Sequence, residues 1–185
     1  MNTTLTSTLR VYDEKDGSRP LVDTTDRAEI ARILSGAKIA FERWEASAVL
    51  TPESGQDEIL AAYAGDIRRL RDDYGYTTAD VIRVTSETPN VPALRQKFLN
   101  EHTHSEDEVR FFVEGSASFY LRTRGKVYQA ICTRGDLIGV PANTPHWFDM
   151  GPAPEFAAIR LFVNPEGWVA NFTGDDIAAR FPKYE

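Results

Sequence analysis

The stretch Glu101-His-Thr-His-Ser-Glu-Asp-Glu108-Val-Arg-Phe-Phe-Val-Glu-Gly115 decides how the rest of the chain is read. It holds two of the three histidines, His102 and His104, and a carboxylate, Glu108, four residues after the second. The third, His146, stands in Gly135-x5-Pro141-x-Asn143-x2-His146 and opens the apolar run Trp147-Phe148. Residues two apart on a strand point to the same side, so His102, His104, Glu108 and Arg110 share parity. If His102–His104 and Glu108–Arg110 lie on neighbouring strands, all four can face one interior, with His146 reaching it from another strand. Histidine is the commonest metal ligand among side chains, and this chain has every histidine in that one pattern. A lone H-x-H would read as a hydrophilic loop. The added carboxylate and the third histidine make the pattern specific for a metal.

Three imidazoles and one carboxylate form an N3O donor set. Structural zinc sites usually include cysteine in a closed tetrahedron, and the one cysteine, Cys132, falls outside the pattern. Fe(II), Ni(II), Mn(II), Co(II) and Zn(II) all accept imidazole and carboxylate. A six-coordinate ion on four protein donors keeps two positions for oxygen atoms of a substrate.

Outward from this stretch, residues 77–172 read as strands. Asp80–Ser86, Val109–Glu114, Ser116–Thr123, Val127–Thr133, Leu137–Val140 and Phe156–Val163 are short, rich in β-branched and aromatic residues, and punctuated by Gly115, Gly125, Gly135 and Gly151-Pro-Ala-Pro154. That pattern predicts a sandwich or barrel. Residues 1–76 read as largely helical support. Thr25 or Asp26 followed by Glu29 resembles a capped helix start, and Ile59, Leu60, Tyr63, Ile67 and Leu70 mark a second helix that Gly75 would end. Residues 173–185 suggest a short terminal helix with Asp175 near its start. The expectation is one domain over 1–185, mainly β with accessory α.

Bulk properties narrow the function classes. The net charge of −7 argues against a nucleic-acid surface and against docking on anionic lipid. One cysteine permits no internal disulfide. The N-terminal residues lack the apolar core of a signal peptide, and nowhere does an apolar run approach a membrane span. A cytoplasmic monomer acting on a small molecule is expected.

The segments H-x-H-x3-E-x6-G, from His102 to Gly115, and Gly135-x5-Pro141 to His146 resemble the two motifs of the cupin superfamily. Gln96, Asn143 and Met150 depart from that pattern at turn positions, not at ligands. The wider context, Phe41-Glu-Arg-Trp44, Phe98 to Gly115, Val140-Pro-Ala-Asn-Thr-Pro-His-Trp-Phe-Asp149 and Arg160-Leu-Phe, is similar to the acireductone dioxygenases of methionine salvage. The likeness runs over nearly the whole chain.

This resemblance implies a cupin-type barrel (a double-stranded β-helix or jelly roll) with helical N-terminal additions. It implies His102, His104, Glu108 and His146 as ligands of one divalent ion, Fe(II) or Ni(II), with Co or Mn able to substitute. The implied substrates are 1,2-dihydroxy-3-keto-5-methylthiopentene and O2. Arg110 and Arg160 would steady the substrate anion, and Phe98, Phe148 and Trp168 would wall its tail. For Arg110 the plainer alternative is a salt bridge to an acidic neighbour such as Glu106, and for each aromatic it is ordinary core packing. Two other functions fit the donor set: a metal-dependent cupin isomerase acting on sugar phosphates, and a non-catalytic binding cupin.

Overall fold

The computed structural model describes residues 5–185. Among the described residues eleven strands are present: β1 (Thr8–Asp13), β2 (Val22–Thr24), β3 (Ala40–Arg43), β4 (Thr78–Val84), β5 (His102–Thr103), β6 (Glu108–Thr123), β7 (Lys126–Thr133), β8 (Asp136–Val140), β9 (His146–Asp149), β10 (Phe156–Phe162) and β11 (Asn171–Phe172). Helices α1 (Arg27–Gly36), α2 (Gln56–Ala62), α3 (Ala64–Tyr74) and α4 (Val91–Leu99) accompany them, with 3-10 turns at Pro165–Trp168 and Ile177–Arg180.

The strands form two halves joined through one long member, β6. Its first half lies between β8 and β10, with β3 and β4 outside them. Its second half lies between β9 and β7, continuing to β5 and β11 on one side and to β1 and β2 on the other. The sheet stays open, in keeping with the cupin fold. Gly115 marks the passage between the halves. Its φ is +63°, and a Cβ there would stand 1.6 Å from the Glu155 carbonyl oxygen, so only glycine fits.

The main core fills the space between the halves: Leu9 and Val11 from β1, Phe112, Phe119 and Leu121 from β6, Ile138, Phe148, Phe156, and Ile30 and Leu34 of α1. A second cluster lies on the outer face, where Ile59, Tyr63, Ile67 and Leu70 of α2 and α3 cover Phe111, Val113, Ile159 and Leu161. The second predicted helix does act as packing support. Among the described residues no helix is long and apolar enough to cross a membrane.

Several local expectations change. Residues 1–76 are not largely helical: β1, β2 and β3 lie there, and β1 and β3 extend the two halves along β7 and β8. The period-two burial of Leu9 and Val11 against half-buried Thr8 and Arg10 is the reason. The predicted helix after Asp57 is two helices, parted at Tyr63, whose ring packs edge-on against Phe111. Gly75 ends the second in the left-handed conformation, and Asp26 caps α1 by accepting from the Glu29 amide. Helix α4 interrupts the region read as strands. The terminal helix is a four-residue 3-10 turn, to which Asp175 contributes by accepting from the Ile177 amide.

Candidate metal centre

The three histidines converge from two neighbouring strands and the loop after one of them. His102 on β5 and His146 on β9 are direct cross-strand partners, with ring centroids 4.4 Å apart. His104, just beyond β5, lies 5.1 Å from His102 and 5.3 Å from His146 by the same measure. Candidate donor atoms of the three all fall within 4.8 Å of one another. Glu108 arrives from the start of β6, its Oε2 3.3 Å from His104 Nε2 and 3.7 Å from His146 Nε2. The expected adjacency of the two strands differs in detail: β5 lies beside β9 and β11, not beside the first half of β6.

Each imidazole is oriented by its other nitrogen. Nδ1 of His102 lies 2.8 Å from the Asn100 carbonyl oxygen, that of His146 2.8 Å from Thr144 O, and that of His104 3.0 Å from Val169 O. A carbonyl can only accept, so the proton sits on Nδ1 and Nε2 keeps its lone pair. This is how metal-binding histidines are held. Among the described residues, His146 Nε2 and Glu108 Oε2 are buried with no hydrogen-bond partner. Burying such groups unpaired is costly, and a cation among them removes the cost. Adjacent donors on an ion at about 2.1 Å lie about 3 Å apart, and opposite ones about 4.2 Å. The observed spacings fit such an ion.

Protonation states suit it too. Burial pushes the His146 imidazole down to about 3, against the pull of Glu108. Burial likewise lowers His102. For Glu108 burial acts upward, but the charge of Arg110, with His146 and His104, outweighs it and holds the carboxyl at about 2. At neutral pH these two imidazoles are neutral and the carboxylate is ionised, as metal ligands must be.

Arg110 is buried beside the donors. Its Nε donates to Glu108 Oε1, not to Glu106, which instead accepts from Asn164 Nδ2 at 2.6 Å. The guanidinium carbon lies 4.8 Å from the ring centres of both Phe119 and Phe148, a double cation–π contact. Its Nη1 is a further buried atom without a partner among the described residues.

Arg160 sits directly across from Arg110 in the β6–β10 register. Its fork is already occupied by Asp80, with Nε–Oδ1 at 2.9 Å and Nη2–Oδ2 at 2.5 Å, and it lies 5.3 Å from the Trp168 ring centre. Phe148 is buried and packs edge-on with Phe98 at 5.9 Å. Trp168 is 40% exposed and touches Phe162, whose ring meets His104 at 5.7 Å.

Sequence reasoning missed several participants. Phe119 escaped because the inward parity of β6 changes along its length. Glu108, Arg110 and Phe112 face inward before the register shift opposite Ala157/Ala158; Ala117, Phe119 and Leu121 do so after it. Asp80 and Phe172 carried no signal of their own, and the three orienting carbonyls are backbone atoms.

Fold and donor geometry together define a cupin in which three buried histidines, with Glu108 beside them, form a candidate metal centre. The chain belongs to the ARD/ARD' family, whose sequence model matches residues 8–170. An acireductone dioxygenase of Parvibaculum lavamentivorans is 57% identical over 177 residues, covering 96% of each chain. One of Pseudomonas aeruginosa is 53% identical over 179 residues, covering 97% of this chain and 99% of its own. The solved acireductone dioxygenase of Bacillus anthracis, which has a cadmium ion in its active centre, is similar at a TM-score of 0.79 and 29% identity, over 92% of this chain and all of the other.

Proposed function

We propose that this chain binds one divalent ion, Fe(II) or Ni(II), through His102, His104, Glu108 and His146. With it the chain cleaves acireductone, 1,2-dihydroxy-3-keto-5-methylthiopentene, using O2 in methionine salvage. The single observation that carries this is the set of three imidazoles. Each has its Nδ1 tied to a carbonyl, and their free nitrogens gather with a carboxylate oxygen that has no hydrogen-bond partner among the described residues. When bound, the ion supplies Lewis acidity and positions for two substrate oxygens.

The protein's own groups do the rest. Arg110, held between two phenyl faces with Nη1 free, donates a charge-assisted hydrogen bond to the substrate anion. Arg160, already paired with Asp80, steadies Trp168 instead of meeting the substrate. Phe98 and Phe148 give an apolar wall for the methylthio tail, and Trp168 stands at the mouth. With iron the products are formate and 4-methylthio-2-oxobutanoate. With nickel they are formate, carbon monoxide and 3-methylthiopropanoate. The ligands suit both ions, so selection between them rests on supply and geometry. On this reading residues 1–185 work as one unit, a monomer in the cytoplasm acting on a small molecule.

The test is His102→Ala, assayed for bound metal and for O2 uptake with acireductone. Loss of both is expected. A variant that keeps metal and full turnover removes the assignment.

A further inference from the structure

One strap, residues 164–173, packs against the metal centre and touches two of its ligands. Its Val169 carbonyl oxygen is the acceptor that orients His104. Its far end, β11, pairs with β5 so that Phe172 is registered against His102, and the two rings meet edge-on at 5.9 Å. Phe172 is 56% exposed, so the sandwich core does not hold it there. Two side chains tie the strap down. At the near end Asn164 Nδ2 donates to Glu106 Oε1 at 2.6 Å. At the far end Thr173 Oγ1 donates to Glu101 Oε1 at 2.7 Å, and the Thr173 amide donates to the Glu101 carbonyl oxygen at 3.1 Å.

Glu101 is an unusual anchor. It is 1% exposed, and the same Oε1 also accepts from Arg122 Nη2 at 2.7 Å. Arg122 reaches on to Asp175, at 3.1 Å from Nη1 to Oδ2. One buried carboxylate next to a candidate ligand thus gathers a threonine, an arginine and, through it, the chain beyond the strap. Burying a charged group this deeply is costly unless its partners are fixed. Elsewhere the strap is held by buried Gly167 against Phe162 and Glu106 and by Trp168 on Phe162, while the side chains of Val169 and Phe172 are exposed.

We propose that Glu101 is a positioning residue of the metal centre: by holding Thr173 it keeps β11 and the Phe172 ring packed on His102, so that a bound ion escapes only when this latch opens. The proposal rests on the reading of His102, His104, Glu108 and His146 as metal ligands. Its effect on retention of the ion is separable from the stability of the fold at Phe172, which lies at the surface, whereas the Thr173 hydroxyl also serves the buried Glu101 carboxylate.

Thr173→Val removes the hydroxyl donor and keeps the shape, Thr173→Ser keeps the donor, and Phe172→Ala removes the ring. Nickel-loaded protein is mixed with excess chelator and the ion's release is followed, with thermal unfolding of each metal-free variant in parallel. Expected is release about fivefold faster for Thr173→Val, the worth of about one net hydrogen bond. Phe172→Ala should also release faster with metal-free unfolding unchanged, Thr173→Ser should match the unaltered chain in both, and Thr173→Val, which leaves the buried Glu101 Oε1 with Arg122 alone, should lower metal-free stability as well. Release at the unaltered rate from both Thr173→Val and Phe172→Ala overturns the latch while leaving the metal centre intact. An unaltered chain that binds no nickel overturns the centre and the latch together.

Discussion

Arg110 is fixed on three sides: Glu108 takes its Nε, and the rings of Phe119 and Phe148 take its two faces. A lysine could keep the charge but neither the planar stack nor the fork. Arg110→Lys should therefore retain one metal per chain while kcat/KM falls about 100-fold or more, roughly 3 kcal/mol of transition-state stabilisation. Metal analysis beside steady-state kinetics checks it, and wild-type turnover would remove Arg110 from the substrate's surroundings. The buried imidazoles set a pH dependence with a definite sign. His146 titrates at about 3 when folded but at 6.5 when unfolded, so between those values the unfolded chain binds the extra proton. Stability of the metal-free protein is thus present above about pH 6.5 and is lost as the pH falls toward 3, by at most about 1.4 kcal/mol per pH unit for this group. Glu108, lowered to about 2 from 4.5, adds loss in the same direction only below 4.5. Urea midpoints at about pH 7 and about pH 5.5 should drop less in His146→Gln than in the parent. Equal drops would contradict the burial account. At this scale the convergence of His102, His104, Glu108, His146 and Arg110 was legible because parity and spacing belong to side-chain identity. The carbonyls of Asn100, Thr144 and Val169 were not, because any residue supplies one.

Strand β6 carries Glu108 and Arg110 in one half of the sheet and Phe119 in the other, and it changes halves at Gly115. Any side chain there meets both the left-handed backbone and the Glu155 carbonyl. Gly115→Ala should cost about 3 kcal/mol or more in urea unfolding and weaken metal binding with it, since the two ends of the site would no longer share a rigid strand. A variant within about 0.5 kcal/mol of the parent would show that the crossing tolerates a side chain. The strands themselves were readable from alternation and glycine punctuation. Their joining into one 16-residue element was not, because Gly115 looks like a turn in sequence and acts as a pivot between sheets. Helix α4 was hidden for another reason: its apolar stripe, Val91, Leu94 and Phe98, is only three residues and half-buried, and it sits among stretches that read as strands. That stripe packs on the main core, and the pair of Arg95 with buried Asp149, residues 54 apart, fixes it further.

At the scale of the whole molecule, two half-sheets enclose a main core, helices α2 and α3 pad one outer face, and the metal centre lies where β5, β9 and the start of β6 meet. The architecture was legible as mainly β with accessory helices, and the family likeness extended to nearly every segment. The strand content of the first 76 residues was not, since β2 and β3 are only three and four residues long and have no buried alternation of their own. On the proposed function, one scaffold lends its donors to either of two ions and the ion chooses the products. The most direct test is O2 uptake by metal-free protein reloaded separately with Fe(II) and with Ni(II) and given acireductone, with carbon monoxide analysed in the headspace. The account predicts uptake with both ions and carbon monoxide with nickel alone. Uptake no faster than spontaneous oxidation with either ion would contradict it.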